Sequence, residues 1–329
     1  MNMNVNSKNI SLWSKLGMRA VFGLKCCELA EKFEDLMVLT ADVSTSAGLD
    51  RFRKTHSSQY LDCGIAEQNM MSMATGLASE GHKVITTTFA PFQTLRCLEQ
   101  IKMASYMKQN LVMVGLCGGV SLANLGYSHC AIEDIGVLRS IPGITILQPA
   151  DCTELVKMLD TAMDIKGLVY IRLTGGVPCP VVYELDYEFK IGSYTFFSKS
   201  KESVIYDTTI VTTGSMVKPS IDASDILGKK GIHVAVLNIN TMKPFMNIPL
   251  PVQFKNIDMH RIFVVEEHSV IGGLYSALSE NLTKHFPTYV VPICLPDSYD
   301  TPMGDYQFML DQHGLTAEKI AERIMEEMI

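Results

Sequence analysis

Tyr60-Leu61-Asp62-Cys63-Gly64-Ile65-Ala66-Glu67-Gln68-Asn69-Met70-Met71-Ser72-Met73-Ala74-Thr75 is an apolar run broken by a glycine and followed by an acidic residue at the head of a helix-forming segment. A carboxylate in the first turn of a helix is held by free backbone N–H groups and by the positive end of the helix dipole. Glu67 therefore heads a helix whose other side chains are small or soft. A lone glutamate in such a place is ordinarily a solvated surface residue, so the flanking segments have to decide its role.

Upstream, Leu16 to Glu34 spaces Leu, Val, Phe and Ala along one helical face, and Leu36-Met37-Val38-Leu39-Thr40 reads as a buried strand. The polar stretch Ala41 to Gly48 then lies at the strand's carboxyl end, where loops of open α/β sheets build ligand sites. Downstream, strands are expected at Lys83 to Thr88, Leu111 to Leu116, Ile144 to Leu147 and Leu168 to Leu173, with helices at Phe92 to Lys108, Glu133 to Ser140 and Thr153 to Met163. Short apolar strands alternating with helices predict an α/β fold with a mostly parallel sheet flanked by helices on both faces.

From Thr174 the pattern breaks into Gly175-Gly176, Pro178 and Pro180, followed by Tyr, Phe, Lys and Ser without helical period. It restarts at Thr208 to Thr213 and continues with a helix at Lys218 to Leu227, strands at Val234 to Ile239 and Ile262 to Val265, a helix at Gly272 to His285 and a strand at Tyr289 to Ile293. Leu315 to Met328 is an amphipathic helix introduced by Thr316. The expected organisation is one α/β domain over 1–177, a linker over 178–206 and a smaller α/β domain over 207–329.

At 329 residues the chain has length for two such domains. Its net charge of −7 argues against nucleic acid and anionic membrane as partners. The nine cysteines form no CxxC pair and no metal-like spacing, which suits a reduced, cytoplasmic setting. Cys63, Cys97, Cys117, Cys130 and Cys152 fall in or beside the expected core, as small hydrophobes. No run is long enough to span a bilayer, and the Asn-rich start has no apolar signal core.

Asp62-Cys63-Gly64-Ile65-Ala66-Glu67-Gln68 resembles the signature of the transketolase family, shared with deoxyxylulose-phosphate synthases and, more loosely, with β subunits of 2-oxo-acid dehydrogenases. Thr88-Phe89-Ala90-Pro91-Phe92, Gly126-Tyr127-Ser128-His129 and Leu138-Arg139-Ser140-Ile141-Pro142-Gly143 follow in that family's order. The resemblance covers nearly the whole chain but only the C-terminal half of a full-length transketolase. It implies a thiamine-diphosphate pyrimidine-binding domain followed by the family's C-terminal domain.

The resemblance also implies roles. The thiazolium carbon of thiamine diphosphate must lose a proton, and the aminopyrimidine takes it in its imino form. A carboxyl bonded to the far ring nitrogen makes that form accessible, which is the role of the residue matched by Glu67; burial against an aromatic ring lets such a carboxyl share a proton near neutrality. Phe89 and Phe92 match aromatics that pack on the aminopyrimidine. His129 stands where the family has Gly-Pro-Thr-His, with an imidazole that moves protons at substrate oxygens. Arg19, Ser46 and Arg172 match positions that hold a sugar phosphate, a task suited to arginine's forked donors; the alternative for Arg19 and Arg172 is that of structural ion-pair partners.

Two positions depart from the pattern. Cys117 falls where the family carries a phosphate-contacting histidine, and Leu125 where an aspartate reads sugar hydroxyls. Each loss removes a hydrogen bond worth about 1 kcal/mol or more, so the acceptor need not be the usual aldose phosphate. The element that holds the diphosphate and its Mg2+, a Gly-Asp-Gly with a later asparagine, has no convincing counterpart; Gly304-Asp305-Tyr306 lies outside the expected context, and no metal ligands are assigned to this chain. Glu266-Glu267-His268 resembles a strand-to-helix junction of the family's C-terminal domain without catalytic role.

The expectation is therefore the C-terminal subunit of a split transketolase, transferring a two-carbon ketol unit between sugars or sugar phosphates together with a separate N-terminal, diphosphate-binding subunit, in a heterotetramer. Alternative readings are the β subunit of a 2-oxo-acid dehydrogenase or another decarboxylating enzyme such as a deoxyxylulose-phosphate synthase, and a non-catalytic assembly subunit.

Overall fold

Parallel strands need a crossover between them, and the segments with helical spacing supply it. The computed structural model describes residues 3–197, 206–245, 261–285 and 288–328. In chain order the first strands are β1 (Leu36–Thr40), β2 (Tyr60–Asp62), β3 (Lys83–Phe89), β4 (Leu111–Leu116), β5 (Ile144–Leu147) and β6 (Leu168–Arg172). They are followed by β7 (Tyr194–Phe197), β8 (Thr208–Thr212), β9 (Val234–Ile239), β10 (Thr241–Lys243), β11 (Arg261–Ser269) and β12 (Tyr289–Leu295). One sheet runs β10-β5-β6-β4-β3-β1-β2 and the other β12-β11-β8-β9-β7. All pairings are parallel except β10 with β5 and β7 with β9. Every residue of β4, β6 and β9 is buried, as expected of central strands covered on both faces.

The helices are α1 (Ser7–Leu16), α2 (Met18–Lys32), α3 (Asp50–Thr55), α4 (Glu67–Ser79), α5 (Ala90–Thr94), α6 (Leu98–Tyr106), α7 (Asp134–Arg139) and α8 (Cys152–Ala162), then α9 (Val217–Gly228), α10 (Leu274–His285), α11 (Tyr306–Gln312) and α12 (Ala317–Met328). No helix among the described residues is long and apolar enough to cross a membrane.

Several elements differ from the sequence expectation for identifiable reasons. The polar start forms α1, because Asn6 caps it by accepting from Asn9 N at 2.9 Å and because Ile10 and Trp13 are buried beneath it. The single helix expected over Phe92 to Lys108 is split in two: Thr94 Oγ1 donates to Ala90 O at 2.7 Å and Cys97 Sγ to Phe92 O at 3.3 Å, local bonds that compete with the helical ladder. The stretch expected as linker contains β7, whose Tyr194 and Phe197 lie half-buried and Phe196 exposed along the antiparallel edge beside β9; residues 198–205 of that stretch lie outside the described residues. Strand β10 leaves the second domain to extend the first sheet, and Lys243 Nζ donates to Arg139 O at 2.8 Å.

A buried polar seam joins the two domains. Asp134 Oδ2, at the head of α7, accepts from Arg172 Nε and from Tyr170 OH, both at 2.8 Å. Arg172 Nη2 donates to Ala131 O at 2.7 Å and to Glu267 O of β11 at 3.1 Å. Glu267 in turn accepts from Val120 N at 2.8 Å, Ser215 Oγ at 2.6 Å and Tyr306 OH at 2.7 Å. Glu266 accepts from Leu274 N at 2.7 Å and Tyr275 N at 2.9 Å, capping α10 at the strand-to-helix junction. Burial pushes His268 down to about 4, so it is neutral and Nε2 can accept from Gly136 N at 3.2 Å. Among the described residues no group of three or more His, Cys, Asp or Glu is arranged to hold a metal ion, and Asp305 caps α11 by accepting from Phe308 N at 2.8 Å.

Candidate active site

The carboxyl edge of the first sheet carries the candidate residues. Strand β3 ends at Phe89, Ala90 and Pro91 open α5 and Phe92 is its third residue, which brings the two rings to 6.2 Å in an edge-to-face arrangement. His129 sits on a short 3₁₀ turn, Tyr127–His129, entered through Gly126 at φ 88°, a conformation that favours glycine. Its ring lies 5.3 Å from Phe92 and 6.0 Å from Phe89, and Nδ1 meets Ser128 Oγ at 3.1 Å.

Glu67 opens α4 with its side chain only 4% exposed. Arg96 Nη1 donates to Glu67 Oε1 at 2.6 Å, and the same guanidinium lies 4.2 Å from the centre of the Phe92 ring. Glu67, Arg96, Phe92, His129 and Phe89 thus form one continuous chain of contacts. Arg96 was not foreseen from the sequence, although its spacing four residues after Phe92 is that of one helical face.

Asp62, in the segment before α4, ties the loop after β1 to this edge. It accepts from Asp42 N at 2.9 Å, Gly64 N at 3.0 Å and Tyr60 OH at 3.2 Å. Desolvation raises its carboxyl, but these hydrogen bonds outweigh it and hold the group below the usual carboxylate range.

Arg19 and Ser46 meet a short way along. Arg19 Nη1 donates to Ser46 O at 3.2 Å, so the contact is to the carbonyl of Ser46. The approach of α2 to the loop that carries Ser46 requires glycine: a Cβ on Gly23 would lie 1.9 Å from Gly48 O. Arg19 also lines a cavity of about 230 Å³ with Met18, Cys117, Leu122, Leu173 and Val177. Leu125 is 52% exposed and is not part of that lining.

Arg172, for which a substrate-phosphate role and a structural ion pair are the two expectations, is 0% exposed, paired with Asp134 and engaged with two carbonyls of the domain seam. The missed residue is Asp134, whose carboxylate neutralises the guanidinium in the interior and keeps it from the cavity.

Phe92 presents one face to a planar, hydrogen-bond-donating guanidinium that also reaches a buried carboxylate. A flat nitrogen heterocycle whose ring nitrogen shares a proton with the Glu67 carboxyl would satisfy the same two contacts, so the residues present fit an aminopyrimidine, whose ring nitrogen donates to the carboxylate in the imino form and accepts from the carboxylic acid in the amino form.

The comparisons with known proteins give the family. The family model described as "Transketolase, pyrimidine binding domain" matches residues 14–176, and "Transketolase, C-terminal domain" matches residues 203–320. One of the subunits of the apulose-4-phosphate transketolase of Phocaeicola vulgatus is 33% identical over 301 residues, covering 91% of this chain and 93% of its own. A 6-deoxy-6-sulfo-D-fructose transketolase subunit of Clostridium sp. is 31% identical over 300 residues, covering 91% and 90%. A solved structure described as a split-gene transketolase in an inactive β4 tetramer superposes with a TM-score of 0.81 at 31% identity, over 94% of this chain and 97% of that one. With both family domains present in sequence order, and whole-length likeness to subunits rather than to a fragment of fold, this chain belongs to the transketolase family and is similar to the C-terminal subunits of its two-polypeptide members.

Proposed function

We propose that this chain is the pyrimidine-binding subunit of a thiamine-diphosphate-dependent transketolase that moves a two-carbon ketol unit between sugars, and that it is active only with a separate N-terminal subunit. The observation that carries this reading is the buried carboxyl of Glu67 at the head of α4, aimed at a flat donor that lies on Phe92.

Bound thiamine diphosphate supplies a carbon nucleophile for breaking and making the bond next to a carbonyl. Glu67, released from Arg96, accepts the ring's hydrogen bond, and its 4% exposure keeps water from competing for that proton. Phe92 and Phe89 supply the ring with flat apolar contact worth about 0.5–1.5 kcal/mol beyond burial of area. His129, held against both phenylalanines and bonded to Ser128, is placed to exchange a proton with a substrate oxygen above them. Arg19 faces the far end of the substrate.

Partner dependence is supported by what the described residues do and do not offer: a pyrimidine cradle without a convergent set of acidic or imidazole ligands. Magnesium and the diphosphate then fall to the N-terminal subunit. A related split-gene subunit described as an inactive β4 tetramer is consistent with this division, and closed symmetry gives a heterotetramer.

Titration of thiamine diphosphate and magnesium into each subunit alone and into the pair tests this reading. Binding should be weak until both are mixed; tight binding by this chain alone would overturn the divided site.

A further inference from the structure

Met18, Cys117, Leu122, Leu173 and Val177 make the apolar part of the wall of the cavity beside Arg19. Cys117 follows directly on Leu116, which pairs with Phe89 in the β3 to β4 register, so this cavity lies on the same carboxyl edge as the aromatic cluster. Its polar wall is already engaged. Ser121 Oγ donates to Gly118 O at 2.9 Å and accepts from Gly175 N at 3.1 Å, while Thr174 Oγ1 accepts from Ser215 N at 3.3 Å. Among the described residues lining the cavity Arg19 is the one cation, and its Nη1 is bonded to Ser46 O.

From this lining we infer that the acceptor of the ketol unit is an uncharged, unphosphorylated short aldose, whose far end rests against Cys117, Leu122 and Leu173. The inference depends on the ketol-transfer reading above. A phosphate dianion placed here would meet a single guanidinium of this chain, and the apolar part of the wall would displace some of its hydration, which is costly unless further donors replace the water. Arg172 is buried and commits Nε to Asp134 and Nη2 to Ala131 O and Glu267 O, so withdrawing it toward the cavity would strand the Asp134 carboxylate in the seam. Cys117 adds no charge either: burial pushes its thiol up, with Arg19 opposing only in part. An uncharged aldose needs none of these counter-charges, and its carbon chain can lie on the walls while its hydroxyls face Arg19 and the mouth.

Atoms balance without a further reactant. The donor ketose loses its C2–C3 bond and leaves as an aldose two carbons shorter. The acceptor aldehyde carbon gains the new bond, its oxygen takes a proton, and there is no net oxidation or reduction.

The backbone offers a direct way to test the specificity. Cys117 has φ 57°, a left-handed conformation in which histidine is several-fold enriched among non-glycine residues. Cys117→His would therefore add a second basic donor to the cavity with little backbone penalty.

The complex with the N-terminal subunit, loaded with thiamine diphosphate and magnesium, should be assayed with L-erythrulose as donor and either D-glyceraldehyde or D-glyceraldehyde 3-phosphate as acceptor. We expect kcat/KM to be higher for D-glyceraldehyde, on the order of tenfold, equivalent to about 1.4 kcal/mol. An equal or higher value for the phosphate ester overturns the inference while leaving ketol transfer standing. In Cys117→His the ratio should move toward the phosphate ester; an unchanged ratio would place the far end of the substrate elsewhere and also overturn it. If neither aldehyde draws turnover of the donor, the ketol-transfer reading itself fails and takes this inference with it.

Discussion

Arg96 Nη1 lies 2.6 Å from Glu67 Oε1 while its guanidinium rests 4.2 Å from the centre of the Phe92 ring, so one surface side chain holds both contacts that a pyrimidine would need. The pair is unequal in exposure, 43% for Arg96 against 4% for Glu67. The arginine can therefore swing into solvent, whereas the carboxylate is fixed at the head of its helix.

Competition follows from that overlap. In the complex with the N-terminal subunit, Arg96→Ala removes a charge-assisted hydrogen bond of about 1.5–3 kcal/mol that the cofactor has to displace. Thiamine diphosphate should bind the variant complex about tenfold more tightly or better in an equilibrium titration. Weaker binding would make Arg96 a cofactor contact and not a competitor.

The domain seam makes a stability prediction. Asp134→Ala leaves the Arg172 guanidinium buried without its carboxylate, an imbalance that typically costs about 3–5 kcal/mol. Urea unfolding should register a loss of that size. A loss below about 1 kcal/mol would mean that Arg172 finds another partner and that the seam does not depend on the pair.

Glu154 gives the pH dependence. Burial pushes its carboxyl up to about 7 from the ordinary 4.5, although Ala150 N, Asn240 Nδ2 and Tyr187 OH all donate to it. Between those two values the folded chain holds a proton that the unfolded chain has released, so stability is full below about 4.5 and is lost as pH rises through about 7. Burial pushes Glu266 to about 7 as well, and it acts in the same direction. His268, held down to about 4, acts oppositely and costs stability as pH falls below 6.5. Glu154→Gln should therefore make the unfolding midpoint decline less steeply with pH across the upper window; an unaltered profile would show that Glu154 ionises normally in the fold.

Much of this architecture was legible in the sequence because parallel strands buried on both faces read as short apolar runs. β1, β4, β5 and β9 lie where Leu36 to Thr40, Leu111 to Leu116, Ile144 to Leu147 and Val234 to Ile239 were expected. The elements that escaped are those whose pairing decides them. β2 and β10 have three residues each, too few for a period, and β7 is an edge strand with one half-buried face. At the site, the order of Glu67, Phe89, Phe92 and His129 could be read because they fall in recognisable local motifs, and the fold draws Phe89, Phe92 and His129 into ring contact. A structural ion pair was one of the two roles open to Arg172, but the identity of its partner could not be read. Its partner Asp134 is 38 residues away in the chain, and only the path of β6 beneath α7 brings the two together. Arg96 escaped for a related reason: its link to Glu67 spans 29 residues, from the head of α4 to the turn between α5 and α6.

The most direct test is the rate at which the thiazolium C2 proton of thiamine diphosphate exchanges with deuterium, measured by NMR on the complex with the N-terminal subunit at saturating cofactor. If the Glu67 carboxyl drives the pyrimidine ring, Glu67→Ala should slow exchange by about 10²–10⁴-fold relative to the unaltered complex. Equal exchange rates in the two complexes would contradict the account.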